Sequence, residues 1–412
     1  MRKGARNMRK NVTFALLVCG ACLAACCAVF LAGCGSLHKF DYTEVEQDTK
    51  SKLATASVLS NDELYQRAKE EMANTQMNVY SSTSLADVAL ENFTSQYPAL
   101  AGKVVFHDLD DESTYPQLVQ EIEQGNKNVD LLLSHSDLVS ELTGTNAAYN
   151  YFPISCKGKV NTEYQMPTAF MYSSSLFMYN KANGSIDLDN IWALTEPEWQ
   201  GRILMKNPTT EQVNMDFLSM LTSSQWTKSL EEAYFDYYGQ AWAQGEYDTI
   251  AHQWTAEFLA NCDFSIAENS EIVKELVNSN EKKIALVTYN KLRKLSSEER
   301  ENIGIFALEK DMNGFGGFAF GTYATVISQS NCPYTCALFI NYILSEQGFS
   351  GEGTWNTYCG YYSTNNMIEK SALANDYNFD YWEDKLVIED FDYLKNKTVE
   401  IRQFVQECLS GL

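Results

Sequence analysis

Short apolar runs alternate with amphipathic helical stretches from Met77 onward, and this alternation limits the possible folds more than any other feature of the chain. Met77 to Tyr80 reads as a strand, and Ser81-Ser82-Thr83-Ser84 turns from it into a helix with Leu85, Val88, Ala89 and Phe93 on one face. Val104-Val105-Phe106 is a second strand, followed by a helix carrying Leu118, Val119 and Ile122, and Asp130 to Leu133 is a third. Strands separated by helices of this length build parallel sheets covered by helices on both sides. Such sheets hold ligands in a crevice beyond the carboxyl ends of their strands. That rule selects the loops Ser81 to Ser84, Asp108 to Asp111 and Ser134 to Asp137.

The pattern resumes farther on. Phe170 to Asn180 is a long extended stretch, and Ile203-Leu204-Met205-Lys206 opens a second strand–helix unit. Asn207-Pro208-Thr209-Thr210 leads that unit into a helix with Val213, Phe217, Leu218 and Leu221. Ile284 to Tyr289 and Tyr323 to Ile327 are further strands, and Cys336 to Leu344 is an apolar helix. Ser60 with Glu63 three residues later forms a capping-box pattern at the head of a helix whose buried face is Leu64, Ala68 and Met72. At 412 residues, two compact lobes are the better expectation than one.

The amino terminus has a different character. Arg2, Lys3, Arg6, Arg9 and Lys10 precede an apolar run from about Val12 to Ala32, and small residues lead into Cys34. That is the layout of a bacterial secretory signal, and Leu31-Ala32-Gly33-Cys34 resembles a lipobox. The resemblance implies cleavage before Cys34 and a lipid such as palmitate on that cysteine. Residues 1–33 are then a signal peptide, 34–59 a polar membrane-proximal spacer, and the remainder an exported domain tethered to the bacterial cell envelope. An uncleaved membrane helix is the competing reading, since the run is nearly long enough to span a bilayer; the small residues before Cys34 favour cleavage.

Charge and cysteine usage narrow the function classes. The chain carries a net charge of −23, and removal of the five signal cations takes it to −28. Nucleic acid is excluded as a partner, because a phosphate backbone requires a basic face. Of 11 cysteines, Cys156, Cys262, Cys332, Cys336, Cys359 and Cys408 follow the lipobox. An even number permits disulfides in an exported protein, with 15 connectivities open. Cys332 and Cys336 stand four apart with no nearby His or Cys to complete a metal site, and free thiols are the simpler expectation. No nucleophile elbow, HExxH or phosphate loop is present, so the chain is expected to be a binding protein and not an enzyme, with no cofactor and no metal.

Several stretches together carry a family resemblance. Glu63-Leu64-Tyr65 through Ala68-Lys69-Glu70, then Asn78-Val79-Tyr80-Ser81-Ser82-Thr83, is similar to the opening helix and first strand of extracellular solute-binding proteins of ABC transporters. Glu121 to Asn126 with Val129-Asp130-Leu131, Leu194 to Ile203, and Ala337 to Ser345 match later segments of that family in order. The group in question includes ferric-iron, polyamine, thiamine and sugar-phosphate binders. The resemblance implies a type II two-lobed fold of class α/β, each lobe a mixed sheet flanked by helices, with a ligand cleft between them. It assigns residues 60–167 and 295–345 to lobe 1, and 168–294 and 346–412 to lobe 2. It further implies a monomer that closes over a small solute by hinge motion and docks on permease subunits. Presentation of the closed form to a membrane kinase is the alternative. The stretch Pro167 to Asn180 is expected to be the first crossing between lobes, with the second between Val287 and Ile305. The tail from Glu369 to Leu412 is helical and charged and lies outside the resemblance.

The candidate ligand residues follow from strand ends and from the resemblance. Ser81, Ser82, Thr83 and Ser84 put hydroxyls and backbone N–H groups at a helix start, which favours an anion. Asn207, Thr209 and Thr210 repeat the device in the second lobe. His135 and Ser136 follow the third strand, and the histidine can donate to an anion. Tyr172 lies on the proposed crossing. Glu268 and Ser270 occupy a family position that often faces the cleft. Tyr289 is followed by Asn290 where iron-binding relatives carry two adjacent tyrosines, and this departure argues against iron. The expected ligand is a small phosphate-bearing anion such as a sugar phosphate or phosphonate. Ferric iron or a polyamine is the alternative, the latter held through aromatics and the carboxylates of Asp137 and Glu268.

Overall fold

The computed structural model describes residues 45–109, 114–126 and 128–411. The proposed signal peptide, Cys34 and the start of the spacer lie outside the described residues, as do Asp110 and Asp111 of the second strand-end loop.

Twelve strands form one mixed sheet. They are β1 (Met77–Ser81), β2 (Val104–Asp108), β3 (Leu131–Ser134), β4 (Ala148–Asn150), β5 (Ala169–Asn180), β6 (Ile203–Leu204), β7 (Cys262–Asp263), β8 (Ile284–Thr288), β9 (Ile303–Ile305), β10 (Gly317–Ile327), β11 (Tyr361–Ser363) and β12 (Val387–Ile388). The main path runs β2-β1-β3-β10-β5-β8-β6-β7. β1, β2 and β3 are parallel, as are β6, β7 and β8. Between these two parallel groups stand β10 and β5, antiparallel to each other and buried along their whole lengths.

The two long strands serve both halves of the molecule. Tyr323 to Val326 of β10 pair with β3, whereas Ser175 to Tyr179 of β5 pair with β8. The halves have their own cores. Phe93 of the helix Leu85–Gln96 meets Phe339 edge-on at 5.1 Å in the first, among Leu64, Ala89, Leu131 and Ile340. Trp254, Phe217 and Phe315 interlock in the second. Each such aliphatic or Phe side chain removed from water contributes about 1.5–3 kcal/mol. At the junction the strands approach closely: a Cβ on Gly317 would stand 2.2 Å from the carbonyl oxygen of Ser175, so only glycine fits there. The register of β10 against β5 shifts between Thr322 and Tyr323, an irregularity of the kind that bends a strand.

The first crossing is therefore β5, within Pro167–Asn180. The second is β10, not the Val287–Ile305 stretch. The latter stays with the second half, because β8 and β9 both pair with the far end of β5. In consequence the lobe boundaries differ from those expected: Ile303, Ile305 and Phe306 pack with Met178 and Tyr179 of the second half, and Phe349, Trp355 and Tyr361 pack in the first core. The cause is β10 itself, whose Gly317, Gly321 and Thr322 interrupt its apolar pattern and disguise its full length in the sequence.

Two further segments correct the sequence reading. The second half of the spacer is a helix, Val45–Ala56, with Thr49, Leu53 and Ala56 buried at i, i+4 and i+7 against the first core. The carboxyl-terminal tail belongs to the second half: β12 pairs with Phe318 and Ala319, and the helix Phe391–Ser410 buries Leu394, Ile401 and Val405. The capping box at Ser60 and Glu63 is present, with Ser60 N donating to Glu63 Oε2 at 2.9 Å. No helix of the described residues is long and apolar enough to cross a membrane.

Candidate functional site

Strands from both halves end at one crevice. Ser82 and Thr83 follow β1, Leu109 follows β2 and His135 follows β3; from the other half, Lys206 follows β6, and Asn290 and Lys291 follow β8. The floor is made by the crossing strands. Met171 and Ser173 of β5 and Phe320 and Thr322 of β10 alternate toward the crevice. Glu211, Val213, Glu268, Asn269, Thr288 and Tyr361 complete the lining of a cavity of about 150 Å³. This is smaller than the roughly 300–1,000 Å³ usual for drug-sized ligands, so the site suits a small solute, part of which can extend to the rim.

Its electrostatics are set by cations brought in from one side. Lys206 is ion-paired with Glu211, which the turn after Asn207 returns to it. Lys291 is half-buried, and no hydrogen bond or ion pair holds its Nζ among the described residues. Burial, then Arg293, then Lys206 push the Lys291 ammonium below its ordinary range, while Glu268 acts weakly in the opposite sense. Arg293 donates from Nη1 to Asn290 Oδ1 at 3.2 Å and to the Tyr361 hydroxyl at 2.8 Å. His135 is held by a 3.2 Å contact of Nδ1 with the Gly321 carbonyl and by an edge-on contact with Phe320.

Of the thirteen candidate residues, the structure brings Ser82, Thr83, His135 and Glu268 to the cavity wall. Ser81 is fully buried, its Oγ accepting from Thr83 N and donating to Thr83 O, so the hydroxyl is used inside its own turn. Ser84 precedes the helix Leu85–Gln96 on the exposed side, without a side-chain hydrogen bond to the helix start. Ser136 turns away from the cavity and donates to Asp216. Tyr172 lies between Met171 and Ser173 and so points to the opposite face, against Tyr164 and Phe379. Asn207, Thr209 and Thr210 form a self-contained turn, in which Asn207 Oδ1 accepts from both the backbone and the hydroxyl of Thr209. The helix they were expected to open begins only at Gln212. Ser270 lies inside the first turn of the helix Asn269–Asn278, one residue beyond the lining. Tyr289 is buried against Trp382, and burial raises its phenol far above the ordinary range.

The second half's contribution is thus lysine, not a helix start. The strand-end rule that selected Ser82 and His135 selects Lys206 and Lys291 equally well once β6 and β8 are recognised as counterparts of β1 and β3. The crossing-strand residues had no such signal, because their facing depends on register. Among the described residues no three His, Cys, Asp or Glu side chains are placed to hold a metal ion, and the six cysteines from Cys156 to Cys408 are free thiols.

Two halves joined by a pair of crossing strands, with a crevice at the carboxyl ends of both parallel groups, define a two-lobed binding protein. The chain belongs to the bacterial extracellular solute-binding protein family, whose model matches residues 78–350. No curated protein matches it by sequence. Among solved structures it is similar to AfuA from Actinobacillus pleuropneumoniae with fructose-6-phosphate bound, at 14% identity over 82% of this chain and 98% of that one, TM-score 0.60. Iron-bound HitA from Pseudomonas aeruginosa gives 15%, 81%, 99% and 0.59. Apo ferric ion-binding protein A from Pasteurella haemolytica gives 14%, 81%, 98% and 0.58. These likenesses establish the fold.

Proposed function

We propose that this protein captures a small phosphate-bearing anion in the interlobe crevice and delivers it to an ABC permease from a lipid anchor at Cys34. The observation that carries the anion reading is Lys291: a half-buried ammonium, crowded by Arg293, Lys206 and Lys294, whose Nζ makes no hydrogen bond among the described residues. An anion placed there relieves the repulsion and favours the charged lysine. The hydroxyls of Ser82, Thr83, Ser173, Thr288 and Thr322 supply neutral donors around it. Glu268, at the exposed rim, is available to accept from hydroxyls on the remainder of a sugar phosphate.

The same lining opposes the alternatives. Ferric iron calls for several oxyanionic ligands, yet the one phenol in the lining, Tyr361, already accepts from Arg293. A polyamine would enter beside Lys206, Lys291 and Arg293 and be repelled. Titration calorimetry on refolded, ligand-free protein tests the reading with inorganic phosphate, fructose 6-phosphate, a methylphosphonate, ferric citrate and spermidine. Heat from at least one phosphorus oxyanion is expected. Tight binding of spermidine or iron with no heat from the others would overturn it.

A further inference from the structure

Beneath the crevice floor, one hydroxyl ties the two lobes together through a buried acid pair. Ser136 opens the helix Ser136–Gly144 of the first lobe, and its Oγ donates to Asp216 Oδ2 at 2.9 Å in the helix Gln212–Met220 of the second. Asp216 is 2% exposed and also accepts from Gln212 Nε2 at 2.7 Å. Glu389, equally enclosed, accepts from the backbone N–H of Gly321 at 2.7 Å and from the Tyr323 hydroxyl at 3.0 Å, both on the crossing strand β10. Glu389 lies in the tail beyond the family match.

The charges facing this pair are few. Asp137 adds a third carboxylate, and Tyr172 and Tyr323 are neutral neighbours. His135 is the basic group that acts on Glu389, and Arg402 of the terminal helix reaches no closer than the Oε1 of Gln212. Two carboxylates without a committed cation cannot both stay ionised out of water.

We propose that Ser136, Asp216 and Glu389 are positioning residues that make lobe closure proton-dependent: the contact between lobes holds one proton on the Asp216–Glu389 pair and releases it when the lobes part. Parting breaks the Ser136 bond and admits water to Asp216, which then ionises and gives its proton to solvent; closure takes one proton back. Burial raises both groups, Glu389 to about 7 and Asp216 well above its ordinary value. For carboxyls with raised values, the favoured contact is present at low pH and is lost as pH climbs through about 7. With one proton linked, the open-to-closed ratio rises by up to about tenfold per pH unit between the ordinary carboxylate range and that point, and levels off above it.

The inference rests on the hinge closure assumed in the proposed function, so its test uses no ligand. Infrared spectroscopy of the full chain at pH 7 should show a protonated carboxyl band that disappears in Asp216→Asn or Glu389→Gln. Small-angle scattering should show wild type expanding between about pH 4.5 and 7.5, while Asp216→Asn keeps a radius independent of pH and Ser136→Ala keeps a response shifted to higher pH, since the Ser136 hydroxyl donates to the carboxylate. Asp137→Asn should keep the response but move it to lower pH, since the Asp137 carboxylate helps to raise Asp216. Each carboxyl variant keeps one acceptor oxygen and replaces the other by an amide donor, so one of its two hydrogen bonds is lost; if one variant fails to fold, the other is read. Absence of the band in wild type, or the same pH response in wild type and the carboxyl variants, overturns the proposal. A chain that fails to bind any phosphate yet shows band and expansion would refute the ligand reading alone.

Discussion

Arg293 donates to the Tyr361 hydroxyl at 2.8 Å, and this bond joins a segment of the second lobe to a strand of the first. Arg293 follows β8, whereas Tyr361 opens β11, which pairs with the first-lobe end of β5. The guanidinium also lies over the Tyr361 ring, 5.9 Å from its centre. Arg293→Met should therefore leave a fully enclosed phenol without its donor. The cost is about 1–3 kcal/mol, read as a lower denaturation midpoint in urea. Tyr361→Phe should cost less, since Arg293 retains Asn290. Equal midpoints for wild type and Arg293→Met would count against the bond.

Lys291 should show a conflict between stability and binding. Its ammonium is disfavoured by burial and by Arg293 and Lys206, so the ligand-free protein is destabilised by keeping it charged. The sign follows directly: a lysine with a lowered value weighs against the fold below that value, and the penalty fades as pH rises through it. Lys291→Met should melt no lower than wild type without ligand at pH 7. It should bind phosphate compounds at least about tenfold more weakly, a charged hydrogen bond being worth about 1.5–3 kcal/mol. Thermal unfolding and calorimetry on the same samples check both halves.

Facing along the crossing strands predicts a contrast between near neighbours. Thr322 lines the crevice, whereas Tyr172 lies on the back face against Phe379. Thr322→Val should weaken anion binding about three- to tenfold, the loss of one net hydrogen bond of about 0.5–1.5 kcal/mol. Tyr172→Phe should leave affinity unchanged. The reverse pattern in calorimetry would mean that the ligand sits behind the crossing and not before it.

The anchor reading yields an outcome in cells. On the proposed anchor reading of Arg2 to Lys10, the apolar run and Leu31-Ala32-Gly33-Cys34, cleavage is expected before Cys34. Cys34→Ser should give either released protein or an unprocessed, longer chain, visible by fractionation and mass. Normal processing with full membrane retention would show that the cysteine carries no lipid.

Much of the first lobe was legible because its signals are local. A capping box at Ser60, alternation in Met77–Ser81 and an apolar run at Leu131 each specify an element within a few residues. Strand order then directs attention to Ser82, Thr83 and His135. The second crossing was not legible, because β10 owes its identity to partners more than a hundred residues away. For the same reason the lysines of the second lobe were passed over in favour of Thr209, whose hydroxyl serves only its own turn. The helix at Val45–Ala56 escaped notice because one threonine, one leucine and one alanine suffice to dock it. The terminal helix was recognisable as a helix, but its place was not, since Leu394, Ile401 and Val405 gain meaning only against the helices they cover.

Closure itself remains to be measured, and the geometry states what to expect. The crevice takes Ser82, Thr83 and His135 from one lobe and Lys206, Asn290 and Lys291 from the other. A solute that touches both sets binds the closed form better than the open one, and only that difference can shift the population. The links between the lobes are the two crossing strands and the later segment between Tyr361 and Val387, and the register shift at Thr322 and Tyr323 offers a place to absorb the motion. Adding a bound phosphate compound at fixed pH 6.5 should therefore reduce the radius of gyration while leaving the far-ultraviolet circular dichroism unchanged. Lys291→Met should need a higher concentration to reach the same compact state. If saturating ligand leaves the radius of wild type unaltered, one lobe holds the solute alone, and Lys206 and Lys291 lose their role together.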